Sequence, residues 1–111
     1  MNYMELDTPA LIIDREIMMD NLRFMQDYAD RKKVALRPHT KTHKMPKLAL
    51  IQENLGAKGI TVAKVGEAEV MAAAGLKNIF IANEIVGAVK LARIRKLAAV
   101  SYTHLTLPTI R

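Results

Sequence analysis

Four short apolar runs alternate along the chain with four longer stretches whose apolar positions recur at helical spacing. Thr8-Pro9-Ala10-Leu11-Ile12-Ile13 predicts a first buried strand, with proline at its start, where no ladder donor is lost. Asp14 is placed to cap a helix in which Met18, Leu22, Met25 and Ala29 form a stripe, widened by Ile17, Phe24 and Tyr28. That methionine-rich face is expected to pack into the core. Arg31-Lys32-Lys33 closes the helix with charge that suits its C-terminal dipole. Val34-Ala35-Leu36 opens a second strand that runs into Arg37-Pro38-His39-Thr40-Lys41-Thr42-His43-Lys44, where Pro38 bars a helix and drives Arg37 toward an extended backbone.

The pattern then repeats. Pro46 starts a second helix with a Leu48, Ile51 and Leu55 stripe, and Gly56 stops it. Ile60-Thr61-Val62-Ala63 predicts a third strand, and Gly66 through Ala74 a third helix ended by Gly75. Asn78 through Asn83 is nearly continuous in apolar character, as a doubly covered parallel strand should be. Ala88 through Ala99 is a fourth helix that buries Val89, Ala92, Ile94 and Leu97. Strand–helix alternation argues an α/β fold with a parallel sheet and helical crossovers. No Gly-x-Gly-x-x-Gly follows a strand, and no Walker-type loop is present. The expected architecture is the N-terminal half, about four βα units, of a truncated (βα)8 TIM-type barrel, since a whole one takes about 250 residues. Such a half is expected to expose open strand edges and apolar surface, to be poorly stable, and to be inactive alone.

Composition narrows the partners. The 111 residues contain no cysteine, which excludes disulfides and thiolate metal sites and fits a reducing, cytoplasmic location. No apolar run approaches a membrane span, and the N-terminus lacks a signal-peptide pattern, so no membrane partner is expected. The net charge of +6 invites a nucleic-acid reading. However, the basic clusters at Arg31-Lys32-Lys33 and at Lys90/Arg93/Arg95/Lys96 fall at a helix end and along a helix. Three Tyr and two Phe provide no stacking surface between them, so no nucleic-acid partner is expected either.

Candidate chemistry concentrates at Lys41. If the extended backbone persists, Arg37, His39, Lys41 and His43 share one face while Thr40 and Thr42 take the other. At the C-terminal end of a barrel strand that face looks into the mouth where active sites are built. A lysine there, near other cations and partly desolvated, has its neutral and nucleophilic form favoured. The bland alternative is a surface lysine snorkelling from a loop. His39 and His43 sit at a spacing better suited to a helix face than to a strand, so no metal ligands are assigned to them. From the residues alone, Lys41 remains a candidate.

The stretch from Asp7 to Ala99 resembles the N-terminal part of the alanine-racemase-like, fold-type III pyridoxal phosphate enzymes, in the branch of the D-threonine aldolases and D-serine dehydratases. The resemblance rests on Asp7-Thr8-Pro9-Ala10-Leu11, on Arg37 through Lys44, on Ala63-Lys64-Val65-Gly66-Glu67-Ala68-Glu69 and on Asn83-Glu84-Ile85-Val86-Gly87. It implies that Lys41 is both the cofactor-binding and the catalytic residue, held to pyridoxal 5'-phosphate as an internal aldimine. It further implies a lyase acting on a small D-amino acid, most simply by retro-aldol cleavage of a D-3-hydroxy amino acid to glycine and an aldehyde. The alternatives are a D-serine dehydratase, then an amino-acid racemase or a non-catalytic pyridoxal phosphate-binding protein. A divalent metal is implied near the substrate hydroxyl, with ligands outside this chain, and a homodimer for the full-length enzyme. His39 and His43 are expected to shape the surroundings of Lys41, and Asn83 and Glu84 either face the mouth or cap a strand end.

After Ala99 the texture changes. Residues 100–109, Val-Ser-Tyr-Thr-His-Leu-Thr-Leu-Pro-Thr, resemble the translation of a transposon-type sequencing adapter. The expected organisation is therefore 1–99 as the N-terminal part of the cofactor-binding barrel domain and 100–111 as an artefactual tail. The benign alternative is a loop followed by a strand from Thr103 to Leu107.

Overall fold

A computed structural model describes residues 2–106 of the chain. Four helices follow one another, α1 (Arg15–Arg31), α2 (Pro46–Leu55), α3 (Val65–Ala73) and α4 (Ala88–Ala98), each close to its expected bounds. Asp14 caps α1, accepting from the Glu16 and Ile17 N–H groups at 3.0 and 3.1 Å. Pro46 opens α2, and Gly56 closes it at φ 126°, a left-handed conformation that side chains avoid. Three parallel strands, β1 (Ile60–Val62), β2 (Asn78–Glu84) and β3 (Tyr102–Thr106), lie in the order β1-β2-β3. No helix among the described residues is long and apolar enough to cross a membrane.

The core lies between this sheet and its helices. Ile60, Val62, Ile79 and Ile81 point from the strands onto Val65, Ala68 and Met71 of α3 and Ile94 and Leu97 of α4. Fully burying an isoleucine stabilises by roughly 1.5–3 kcal/mol, so these four alternate positions set the sheet's register against the helices. The other sheet face, carrying Phe80 and Ala82, has no helix packed on it among the described residues.

Four expectations need correction. The first strand does not form. Leu11, Ile12 and Ile13 are exposed, because no described strand lies beside them to satisfy their backbone. The second is extended but joins the sheet through one bridge, His39 to Thr61. Pro38 explains why. The Thr61 N–H donates to the Pro38 carbonyl at 2.7 Å, but Pro38 has no N–H to return lower in the ladder. Below it the pairing slips by one residue, and the Lys58 N–H reaches the Leu36 carbonyl instead, at 2.9 Å. The methionine face of α1 is largely open: only Gln26 and Ala29 are buried, while Ile17, Phe24, Met25 and Tyr28 are exposed. On α4, Val89 and Ala92 are exposed, leaving Ile94 and Leu97 as its buried side. The radius of gyration is 16.3 Å, against about 13 Å for a compact chain of this length.

The structure also pairs Tyr102–Thr106 with β2, within the stretch read as adapter-derived. Strand formation there follows from its Tyr and Thr content and bears on folding, not on the origin of the codons. The tail from 107 onward lies outside the described residues.

Arg37 crosses the uncovered sheet face. Its Nη1 donates to the Ile60 carbonyl at 3.4 Å, to the Asn78 carbonyl at 3.3 Å and to Asn78 Oδ1 at 2.8 Å. These partners open β1 and β2, so Arg37 works at the N-terminal end of the strands, away from the mouth. Gly59 makes room for it. A Cβ there would sit 2.7 Å from Arg37 Nη1 and still closer to the Asn78 carbonyl oxygen, which is backbone and cannot swing away. Gly59→Ala is therefore expected to destabilise the chain by about 1–3 kcal/mol, read as a lower urea midpoint. An unchanged midpoint would show that the strand starts give way freely.

Candidate functional site

The C-terminal ends of the extended segment and of β1 and β2 lie on one edge of the sheet, and there the candidate residues gather. The ladder runs up to Thr40 and stops. Thr40 is buried at 1% exposure, and both its N–H and its Oγ1–H donate to the Thr61 carbonyl, at 2.8 and 3.1 Å. Its own carbonyl accepts the Lys44 N–H at 2.8 Å rather than a donor from the next strand. That bond folds residues 40–44 into a closed turn, and Lys44 completes it at φ 52°. The strand alternation expected through His43 therefore ends at Thr40, and Lys41 stands at the second position of the turn.

Lys41 is exposed, so the partial desolvation expected around it is not provided by the described residues. Its backbone is held. The Lys41 N–H donates to His39 Nδ1 at 3.3 Å. Past the turn, the Met45 N–H donates to His43 Nδ1 at 3.0 Å, while His43 Nε2 lies 3.3 Å from Gln52 Oε1 on α2. A ring nitrogen that accepts from an N–H carries no proton, so the His43 proton sits on Nε2 and points to Gln52. Burial pushes the His43 pKa below its ordinary value of 6.5, and the Gln52 hydrogen bond opposes that shift without cancelling it.

Glu67 was not singled out from the sequence, yet it joins three elements. Its Oε2 accepts the Ala63 and Lys64 N–H groups at 2.8 and 3.2 Å, capping α3 and the end of β1 together. Its Oε1 lies 4.0 Å from Lys44 Nζ, at the closing end of the lysine turn. The signal was present as a glutamate three residues inside a helix start. Asn83 Nδ2 donates to the Ala63 carbonyl at 3.1 Å, which makes Asn83 a strand-end cap. Glu84 is exposed beside it. A shallow cavity of about 420 Å³ separates this pair from Lys64, Glu67 and Lys90. Arg37, expected on the same face as Lys41, is at the far end of the strands.

Two groups implied by the sequence can be tested against these residues. Covalent attachment of pyridoxal phosphate needs an accessible primary amine held in place. Lys41 offers one on a turn fixed at both ends, at the strand edge where α/β sites are built, so the residues fit. A divalent metal needs several oxygen or nitrogen ligands, and no group of three or more His, Cys, Asp or Glu able to hold one occurs among the described residues. No step is derived through a metal.

Comparison with known proteins places this geometry. The family described as the alanine racemase N-terminal domain, a TIM-barrel-type fold, matches residues 13–106, and the chain belongs to that family. D-Threonine aldolase of Arthrobacter sp. is 52% identical over 96 residues, covering 86% of this chain and 25% of that protein. The crystal structure of D-threonine aldolase from Filomicrobium marinum superposes with a TM-score of 0.91 at 46% identity, covering 93% of this chain and 28% of that one. A D-threo-3-hydroxyaspartate dehydratase in a metal-free form gives a TM-score of 0.87 at 36% identity, covering 96% and 28%. The chain spans about a quarter of the length of these relatives.

The His43 shift carries a pH dependence. Its folded pKa lies below the unfolded one, so above pH 6.5 both states are neutral and the contribution is complete. As the pH falls below 6.5 the unfolded chain takes up the proton first, and stability drops until the folded value is passed. The urea midpoint should fall across that window in the parent chain and fall less in His43→Asn. Equal losses in both would assign the pH dependence to other groups.

Proposed function

We propose that this chain is the cofactor-lysine part of a pyridoxal 5'-phosphate-dependent lyase that cleaves a D-3-hydroxy amino acid to glycine and an aldehyde. The observation that carries the reading is the 52% identity to a D-threonine aldolase over a span that, at 96 of 111 residues, must include Arg37 through Lys44. Lys41 is the residue that holds the cofactor, through its ε-amine. When bound, pyridoxal phosphate acts as an electron sink for whichever bond breaks at the substrate α-carbon. The chain's own residues fix where that amine stands. Thr40 anchors the turn to β1, Lys44 closes it, and Glu67 ties the closed end to α3. The remainder of the barrel, the substrate contacts and a metal at the substrate hydroxyl belong to the longer protein, which acts as a homodimer.

The match to D-threo-3-hydroxyaspartate dehydratase favours a second reading, net loss of ammonia from the same class of substrate to give a 2-oxo acid, the water expelled first being taken up again as ammonia leaves. The two differ in the bond that breaks at the α-carbon, Cα–Cβ for the aldolase and Cα–H, with loss of the β-hydroxyl, for the dehydratase. We also propose that residues 100–109 derive from an adapter joined to the gene, and that 1–99 is the native part. Resequencing from the source by another library method decides this, and recovery of the same codons beyond Val100 overturns it.

The test of function has two steps. Incubating this chain with pyridoxal phosphate, reducing with borohydride and mapping peptides should place the adduct on Lys41, and Lys41→Ala should lose it. An adduct that survives the substitution unchanged would remove Lys41 from the role. In the completed gene, D-threonine should yield glycine and acetaldehyde, whereas a 2-oxo acid with ammonia would move the assignment to the dehydratase.

A further inference from the structure

The two histidines that flank Lys41 make the same bond. Each ring accepts, through Nδ1, the backbone N–H two residues further on: Lys41 N–H to His39 at 3.3 Å and Met45 N–H to His43 at 3.0 Å. The turn between them closes through the Lys44 N–H to the Thr40 carbonyl at 2.8 Å, with Lys44 in the left-handed region at φ 52°. That conformation is costly for a residue with a side chain, by roughly 1 kcal/mol, and persists only where surrounding bonds enforce it. His43 supplies the enforcement. One ring nitrogen engages the residue after Lys44, and the other engages Gln52 one helical stretch away, at 3.3 Å. Without the ring, the Met45 N–H at the start of α2 has no described partner, because Met45 precedes the first helical turn and its own side chain caps nothing.

We propose that His43 is a positioning residue for Lys41: as the neutral Nε2–H tautomer it locks the turn onto α2 and so fixes the point from which the lysine side chain reaches. This rests on reading Lys41 as the cofactor lysine only for its functional consequence, since the locking itself is a property of the turn. The effect of His43 passes through the backbone of residues 41–45. His39 makes the matching bond at the near end, and its ring has no second anchor among the described residues. Its loss therefore loosens the turn less.

Three readouts on the intact chain test the proposal. Ring nitrogen shifts of His43 near neutral pH should report Nε2–H, and an Nδ1–H ring would overturn it directly. In His43→Ala, the Lys44 and Met45 amides should exchange with solvent about three- to tenfold faster relative to the Ile79 amide, the factor that one lost hydrogen bond produces. His43→Asn keeps an acceptor for the Met45 N–H and should recover most of that protection. The third readout is borohydride-trapped pyridoxal phosphate, where His43→Ala should lower the share of adduct on Lys41 relative to Lys44 and Lys47 by a similar factor. A folded His43→Ala chain with parent-like exchange and adduct shares would overturn the proposal. If His43→Ala does not fold, the parent tautomer and the exchange of His43→Asn decide it. If the parent chain carries no adduct on Lys41, the functional reading fails while the tautomer and exchange arms still judge the role of His43.

Discussion

One carbonyl organises this part of the molecule. The Thr61 oxygen accepts both the N–H and the hydroxyl of Thr40, a buried residue that has no other place to spend either donor. An unpaired donor there would cost about 1–3 kcal/mol. That double bond fixes the height at which the lysine segment leaves the sheet. Once Thr40 is held, its carbonyl is free to turn toward Lys44, the ladder cannot continue, and Lys41 falls outside the strand. The other contacts at this edge, from Glu67 to the N–H groups of Ala63 and Lys64 and from Asn83 to the Ala63 carbonyl, finish the groups that the interrupted ladder leaves open.

Much of this was legible in the sequence, and the reason is local. Helix starts and stops are written in single residues, so Asp14, Pro46 and Gly56 gave their boundaries without help from the rest of the fold. The apolar runs at Ile60 and Ile79 likewise announce strands that are buried on one side by their own crossover helices. The misreadings are all nonlocal. Leu11 through Ile13 have the texture of a strand, but a strand is a relation between two segments, and no described segment lies alongside. Val89 and the methionine face of α1 fail for the same reason, as apolar stripes with no described element packed on them.

The site divides along the same line. Lys41 was legible through its string of flanking residues, while its environment was not, because the alternation that would aim it inward depends on a ladder that Pro38 weakens and Thr40 ends. The histidines carried a visible pattern, yet their work as backbone acceptors depends on the left-handed conformation of Lys44 and on Gln52, nine residues beyond His43. Glu67 sits within Ala63-Lys64-Val65-Gly66-Glu67-Ala68-Glu69 with nothing in the string to mark it beyond its place near a helix start, since its importance comes from the three elements that meet at it.

The missing donor of Pro38 has a mechanical meaning. Above the break the segment is fastened by backbone bonds at Thr40 and Pro38, and below it by the slipped contact at Leu36 together with the side chain of Arg37. Coupling between α1 and the lysine therefore runs not along the strand but through α2, on which α1 packs and from which Gln52 meets His43.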